Sequence, residues 1–255
     1  MTFTIDNFEL FFLIFVRITG FIYTAPFFSL KNVPVRVKSG ISIFLAAIIF
    51  YTAQYEVPQY NGVIGYAYLV VVEALLGAIM GFFANIAYYI VGFAGNIMDM
   101  EIGFSMVNEL DPITMTQTTI TSNLYGYLVL LMMMATNLHH YFIRAIVDSF
   151  RVIDIGQAVF HPDMYKLMGT FLKDYFEIGF RIVLPIYASI LLVNTILAIL
   201  AKVAPQMNMF VIGMQLKIFV GLFVLLLIIG LVPSVSDFIF NEMIGMMKDA
   251  LQMMK

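Results

Sequence analysis

The sequence predicts an all-α, polytopic integral membrane protein of about six long helices. Of its 255 residues, 62% are hydrophobic and only 11% are charged, whereas soluble globular proteins carry about 25% charged residues. A core of this size could not hide so many apolar side chains from water, so the excess must face lipid or other apolar chains. The composition argues against a soluble enzyme, and it excludes disorder, which requires low hydrophobicity and high charge.

Long stretches without charge locate the predicted helices, because a spanning helix needs about 20 mostly apolar residues. The first predicted helix covers 8–28 and contains only Glu9 and Arg17 as charged residues. The second, 38–54, is short for a span. The third, 63–100, extends roughly 57 Å against a hydrocarbon core of about 30 Å, so it must either break or project beyond the lipid.

Three further helices are predicted at 120–147, 176–203 and 209–236. Residues 144–177 form the least apolar stretch and are predicted to be a solvent-exposed connector. The chain is therefore expected to be one membrane domain, 1–255, consisting of a helical part at 1–150 with a loop at 101–115, a connector at 151–175, and a C-terminal helical hairpin with a tail at 176–255.

Composition also limits the chemistry. A net charge of −3 gives no basic surface for nucleic acid, and the absence of cysteine removes disulfides, cysteine zinc sites and Fe–S clusters. His139 and His140 point about 100° apart on a helix, so they are poorly placed to share a metal. No phosphate-binding or nucleophile motif occurs. We expect no catalytic residue, cofactor or metal, although an intramembrane enzyme centred on the two histidines stays an alternative.

Charged residues inside the predicted spans are candidates for assembly. Each costs about 2.5–3.5 kcal/mol at a helix centre, so Arg17 and Glu73 are predicted to be partners. They could form an ion path or an ion pair between helices or subunits, and the scarcity of buried carboxylates favours the pair. Lys202 and Lys217 bound the last loop and could snorkel to the membrane surface. The full set of predicted intramembrane polar residues is Arg17, Glu73, Asp99, Lys202 and Lys217.

Small residues and a helix-stop signal mark the predicted contacts between helices. The spacing Gly77-x-x-x-Gly81 is typical of close helix contacts in membranes, either within one chain or between chains, and Gly95 is a further predicted contact. Pro205 ends the fifth predicted helix. The hairpin loop that follows is predicted to fix the angle of the last helix and to dock partners through Pro205, Gln206, Asn208 and Phe210, with Asn208 as an N-cap.

The segment 101–112 is the most informative loop. It is apolar, flanked by acids, and ends in Asp111-Pro112, where proline disfavours a helical conformation of the preceding residue. Met98 and Met106 lie at or beside it, and flexible thioether side chains can seal an irregular gap. The loop could close or line a passage, or it could be a surface connection outside the lipid.

In their order and spacing, these residues resemble the FliR family, the flagellar type III secretion export-gate proteins, along nearly the whole chain. The matching motifs are Arg17-x-x-Gly20, Val33-Pro34-x-Arg36, Glu73 with Gly77 and Gly81, Gly95, Asp99, Gly103, Asp111-Pro112, and Pro205-Gln206-x-Asn208-x-Phe210-x-x-Gly213. Two positions depart from the pattern: Leu138 stands where glycine is common, and Gln215 where proline is common.

The resemblance implies a subunit of a bacterial flagellar export gate in the cytoplasmic (inner) membrane, at the flagellar basal body. It implies a FliP-like N-terminal part, a FliQ-like C-terminal hairpin, and assembly with FliP-like, FliQ-like and FlhB-like proteins. Unfolded export substrates and membrane lipid would be further partners. The virulence injectisome counterpart and a small-solute transporter stay alternatives. The implied pore plug comprises Gly103, Phe104, Met106, Val107, Leu110, Asp111 and Pro112.

Overall fold

A computed structural model describes residues 5–30, 33–52, 55, 58–106, 109–110 and 117–255. In these ranges the chain forms eight α-helices: α1 (Ile5–Thr24), α2 (Val35–Thr52), α3 (Gly62–Ile102), α4 (Ile120–Ala135), α5 (His139–Val152), α6 (Met164–Val203), α7 (Met209–Ile228) and α8 (Val232–Met253). Single 3₁₀ turns occupy Phe104–Met106 and Ile229–Leu231. A two-residue antiparallel pair joins β1 (Glu109–Leu110) to β2 (Gln117–Thr118).

Four helical segments in the described part of the chain are long and apolar enough to cross a membrane. They are Val35–Thr52, Gly62–Ile102, Met164–Val203 and Met209–Met253. The prediction of an all-α, polytopic membrane protein is therefore confirmed. Helix α3 is continuous over 41 residues, which corresponds to roughly 60 Å and exceeds the thickness of a hydrocarbon core.

Several predicted helix bounds were wrong. The helix predicted at 120–147 is divided between α4 and α5 at a turn where Asn137 has a φ of 56°. Helix α6 begins at Met164 instead of 176, so that much of the predicted connector is helical. The predicted last helix ended at 236, but α8 continues to Met253. Charged residues in both extensions broke the uncharged stretches on which the prediction depended.

The chain divides into two compact units. Unit 1 comprises Met1–Ala87, Thr136–Phe171 and Phe240–Lys255. Its core combines apolar residues of α1 and α3 with the C-terminal half of α8, where Met243, Ala250 and Met254 are fully buried. The amide of Val159 donates a hydrogen bond to the carbonyl of Met254 at 3.0 Å. Met254, directly after α8, therefore contacts the segment after α5 in the same unit that contains α1.

Unit 2 comprises Tyr88–Ala135 and Leu172–Ile239. Its core is a row of apolar side chains from the end of α3 and the middle of α6, against which partly buried residues of α7 pack. The buried members are Ala94, Met98, Ile102, Val183, Ile186 and Ile190. Between residues 182 and 201 of α6, and along α7, most of the exposed side chains are apolar.

Candidate functional site

In unit 1, the structure pairs Arg17 of α1 with Glu73 of α3. Both side chains are fully buried. The guanidinium of Arg17 donates from Nε to Glu73 Oε2 at 2.5 Å and from Nη2 to Oε1 at 3.0 Å. This is the bidentate geometry typical of arginine–carboxylate pairs. Because each charge is neutralised by the other, neither is left alone in an apolar interior.

Arg17 also binds the end of α5. Its Nη1 donates to the carbonyls of Ser149 at 3.2 Å and Ile153 at 3.1 Å, and its Nη2 donates to Asp154 O at 3.4 Å. The guanidinium carbon lies 4.2 Å from the centroid of the Phe150 ring. A cation at a helix C-terminus satisfies carbonyls that have no partner within the helix. No local pattern indicated these acceptors, which lie more than 130 residues from Arg17.

Glu73 extends the same network to the segment after α5. Its Oε1 accepts a hydrogen bond from the amide of Gly156 at 2.7 Å. Gly156 has a φ of 79°, and a Cβ there would lie 2.8 Å from Leu69 Cδ2. Glycine is therefore favoured at this turn by its backbone conformation, and a larger residue would also have to displace the Leu69 side chain. The ion pair thus connects α1, α3 and the chain that follows α5.

Two tyrosines that lie outside the helices of unit 1 have raised pKa values. The hydrogen bond from Tyr60 to Glu9, 2.6 Å long, raises the pKa of the Tyr60 phenol to about 12. Burial raises the pKa of Tyr55, an effect opposed by the nearby charge of Arg17. Both phenols are therefore protonated at neutral pH, and the ring of Tyr55 packs on that of Phe150 beside the ion pair.

The predicted glycine contacts in unit 1 lie between α1 and α3. A Cβ at Gly81 would be 2.8 Å from the carbonyl oxygen of Phe21, and one at Gly77 would meet the backbone of Arg17. Gly20, on the opposing helix, faces Ala74 O at 2.6 Å in the same way. The two backbones therefore touch within one chain, which is the contact that small residues permit.

In unit 2, Asp99 holds the start of α4. Its fully buried carboxylate accepts hydrogen bonds from the Thr121 amide at 2.8 Å and from the Thr121 hydroxyl. A carboxylate in this position satisfies a free amide and interacts favourably with the helix dipole. Among the described side chains, no cation pairs with Asp99. We call Asp99 and Thr121 the α3–α4 clasp.

Close packing reinforces the α3–α4 clasp. Thr119 donates to Asn96 Oδ1 at 3.0 Å, and Ser122 donates to the carbonyl of Gly92 at 3.2 Å. A Cβ at Gly95 would lie 2.6 Å from the backbone nitrogen of Ser122, so α4 starts directly against α3 at this glycine. Sequence reasoning missed Thr121 and Ser122, although hydroxyl residues at the start of an apolar helix were an available signal.

Between the two sides of the clasp lies the loop that contains the plug candidates. Gly103 ends α3 with a φ of 99°, and its amide donates to the carbonyl of Asp99 at 3.0 Å. Phe104 packs against the apolar core of unit 2. Met106 belongs to the 3₁₀ turn and Leu110 to β1. The remaining candidates, Val107, Asp111 and Pro112, lie outside the described residues.

The hairpin loop between α6 and α7 has the geometry of a capped helix start. The side chain of Asn208 accepts from the amides of Phe210 at 3.2 Å and Val211 at 3.4 Å, so Asn208 caps α7. Pro205 and Gln206 lie in the exposed turn, and Phe210 is 70% exposed. Of the two lysines that flank this hairpin, Lys202 is exposed and Lys217 is partly buried.

Comparison with known proteins agrees with this arrangement. The family model for "Bacterial export proteins, family 1" matches residues 8–243. The chain belongs to this family. It is 34% identical over 250 residues to the "Flagellar biosynthetic protein FliR" of Bacillus subtilis (strain 168), covering 97% of this chain and 96% of that protein. The protein of the same name from Escherichia coli (strain K12) is 27% identical over 244 residues, with 95% and 93% covered.

A third relative has the same name. The "Flagellar biosynthetic protein FliR" of Borreliella burgdorferi is 29% identical over 220 residues, covering 83% of this chain and 79% of that protein. Membership in the family of bacterial export proteins, together with these flagellar relatives, supports the function of a flagellar export-gate subunit.

The two adjacent histidines are the remaining site predicted from sequence. In this member of the bacterial export proteins, the rings of His139 and His140 lie 4.2 Å apart at the start of α5. His139 Nδ1 is buried without a hydrogen-bond partner among the described residues. In the same part of the chain, no group of three or more His, Asp or Glu residues is arranged to hold a metal ion. The family is known for export and not for catalysis.

Proposed function

We propose that the chain is a subunit of the protein-export gate of the bacterial flagellum, located in the cytoplasmic membrane at the basal body. In this proposal it assembles with FliP-like and FliQ-like subunits and an FlhB-like protein. Residues 1–150 would pack as a FliP-like part and residues 176–255 as a FliQ-like hairpin, joined by the connector at 151–175. Family membership over residues 8–243 is the observation that carries the proposal.

The distribution of buried surface supports assembly with other chains. Half of the apolar window of α3 is buried within the chain, but only 22% of the corresponding window of α6 is buried. Exposed side chains of α6 and α7 include Leu192, Phe219 and Leu226, each more than 65% exposed. Apolar faces of this extent are typical of surfaces that contact lipid or other subunits.

The loop at 101–115 would act as the plug of the gate. Supporting this role, the α3–α4 clasp holds the two helices that flank the loop at one place, so that the loop is anchored at both ends. The loop would block the passage at rest, and an unfolded substrate would displace it. The sequence contains no nucleotide-binding motif, so the energy for export would come from other components.

Deletion of residues 103–110 tests the plug and the assembly together. The full-length chain and the deletion variant replace the native copy in a flagellated bacterium, and each carries an affinity tag. We expect both to co-purify with the FliP-like and FliQ-like subunits, and we expect the deletion variant to conduct ions at rest and to slow growth. Membrane conductance, growth and motility are the measurements.

A matched pair of glycine variants controls for gross damage. Gly95→Ala forces the start of α4 away from α3, because its Cβ would overlap the backbone of Ser122, whereas a Cβ at Gly92 meets only Ser122 Oγ at 3.5 Å. We expect leak from Gly95→Ala and none from Gly92→Ala. A deletion variant that assembles and conducts no more than the parent would disprove the plug. A parent that purifies only alone or as a homodimer would disprove the gate assignment itself.

A further inference from the structure

An apolar groove of about 350 Å³ lies in unit 2, between α6 and the junction of α7 with α8. We call it the α6–α8 groove. Its volume is in the range of small-molecule sites. Residues 178, 181, 182 and 185 line it from one face of α6, as the spacing of a helix requires. Apart from Arg181 and Ser234, the lining is apolar, with Ile178, Ile182, Pro185, Ile228, Val232 and Phe238 as main members.

The α6–α8 groove lies at the edge of an apolar hairpin one bilayer thick. On α6, Arg181 is followed by 20 residues without charge, which extend about 30 Å before Lys202. Helix α7 runs antiparallel beside it, since Gly213 faces Leu197 and Ile228 shares the groove with Ile182. Arg181 therefore occupies the end of the hairpin opposite the 204–208 turn, and a bilayer spanned by these 20 residues would have its headgroups at the level of Arg181.

The mouth of the groove presents both signs of charge. Arg181 Nη2 lies 2.5 Å from Glu177 Oε1, and the two side chains are 67% and 47% exposed. Pro185 has no amide hydrogen, so α6 lacks the helical bond that would satisfy the carbonyl of Arg181. A free carbonyl at this depth needs a donor. The mouth thus offers a guanidinium for a phosphate, and a carboxylate with a carbonyl for an ammonium group.

We propose that the α6–α8 groove binds one glycerophospholipid with an amine-bearing zwitterionic headgroup, of the phosphatidylethanolamine type. One acyl chain lies in the groove, the phosphate accepts from Arg181, and the ammonium donates to Glu177 and to the carbonyl of Arg181. An anionic headgroup without an amine would leave Glu177 unpaired and repelled. An apolar helix from another chain would fill the groove but leave the polar groups at its mouth without partners. The proposal is independent of the export function.

The chain contains no tryptophan, so one introduced tryptophan reports on its own lipid neighbours. Phe238→Trp places it in the wall of the α6–α8 groove, and Leu231→Trp is a second groove position in case the first variant does not fold. Phe219→Trp, on the open apolar face of α7, is the matched control. Full-length chain is reconstituted in vesicles of brominated phosphatidylcholine, which is replaced stepwise by unbrominated phosphatidylethanolamine, and quenching of fluorescence is measured.

At the groove position we expect phosphatidylethanolamine to bind about threefold more often than its fraction in the bilayer predicts, so that quenching falls faster than the fraction of brominated lipid. At position 219 we expect quenching to follow the bulk lipid composition. Arg181→Gln or Glu177→Gln should abolish the preference. Equal behaviour at both positions would overturn the proposal, as would stronger binding of phosphatidylglycerol. Absence of quenching at the groove position in pure brominated lipid would show that lipid does not enter the groove, which would also overturn the proposal.

Discussion

Helix α3 carries two fully buried carboxylates, and the two units stabilise them differently. In unit 1, Glu73 is neutralised by Arg17, and the pair binds backbone groups after α5. In unit 2, the carboxylate of Asp99 accepts hydrogen bonds from the amide and the hydroxyl of Thr121 and, within the described residues, has no cationic partner. Glu73 is therefore connected to several distant segments, whereas the contacts of Asp99 among the described residues hold the helix that follows the 101–115 loop.

The Arg17–Glu73 pair is therefore a structural centre of unit 1, whereas Asp99 anchors the start of one helix in unit 2. Loss of either member of the Arg17–Glu73 pair leaves a charge buried without a counterion. Loss of Asp99 leaves a free amide and a free hydroxyl at a helix start, which is a smaller penalty. The chain thus concentrates its strongest polar contacts in unit 1 and connects the loop to α3 and α4 through weaker ones.

Removing the carboxylate of the ion pair should have the largest effect. We expect Glu73→Ala to lower the free energy of unfolding by about 3–5 kcal/mol, because Arg17 stays buried without a counterion. Thermal unfolding of purified protein and its level in membranes are the measurements. The double variant Arg17→Met/Glu73→Leu should be more stable than Glu73→Ala. If Glu73→Ala unfolds like the parent, the pair does not have this role.

Weakening the α3–α4 clasp should have an intermediate effect. We expect Asp99→Ala to lower the free energy of unfolding by about 1–3 kcal/mol, which is less than the effect of Glu73→Ala. Hydrogen bonds and a helix cap are lost, but no buried cation is left without a counterion. Thr121→Val should cost about 1 kcal/mol, and Thr121→Ser, which keeps the hydroxyl, less. Hydrogen exchange at the first turn of α4 is the measurement. An Asp99→Ala variant less stable than Glu73→Ala would reverse the comparison.

An exposed ion pair should have the smallest effect. Lys166 and Asp163 lie 2.7 Å apart, almost as close as Arg17 and Glu73, but both side chains are more than 60% exposed. Water and salt screen such a pair, so we expect Asp163→Asn to change stability by less than about 0.5 kcal/mol. Thermal unfolding at low and high salt checks this. A loss above 1 kcal/mol would mean that distance, and not burial, sets these energies.

The fold class was predictable because the excess of apolar residues decides it directly. The membrane-spanning helices α3, α6 and α7 likewise followed from long uncharged stretches. The turn at Asn137 was missed, since neither proline nor glycine marks it. The prediction ended the last helix too early because acidic and basic residues interrupt its apolar stretch, although the apolar residues of α8 recur with helical spacing.

The sites were predictable only where a local rule applied. The cost of charge in an apolar helix indicated Arg17 and Glu73 as partners. Their acceptors and donors at Ser149 and Gly156 depend on the tertiary fold, which no local pattern encodes. Asp99 was predicted as an intramembrane polar residue, but its partner Thr121 was identified only from the structure, where α4 starts against α3.

The hydrogen bond between Val159 and Met254 has a consequence for biosynthesis. Unit 1 contains both the first helix of the chain and residues 240–254. The amino-terminal helices are synthesised first, yet the core that they share with residues 240–254 is complete only when those residues have been added. A polypeptide that stopped before residue 240 would leave apolar side chains of that core exposed.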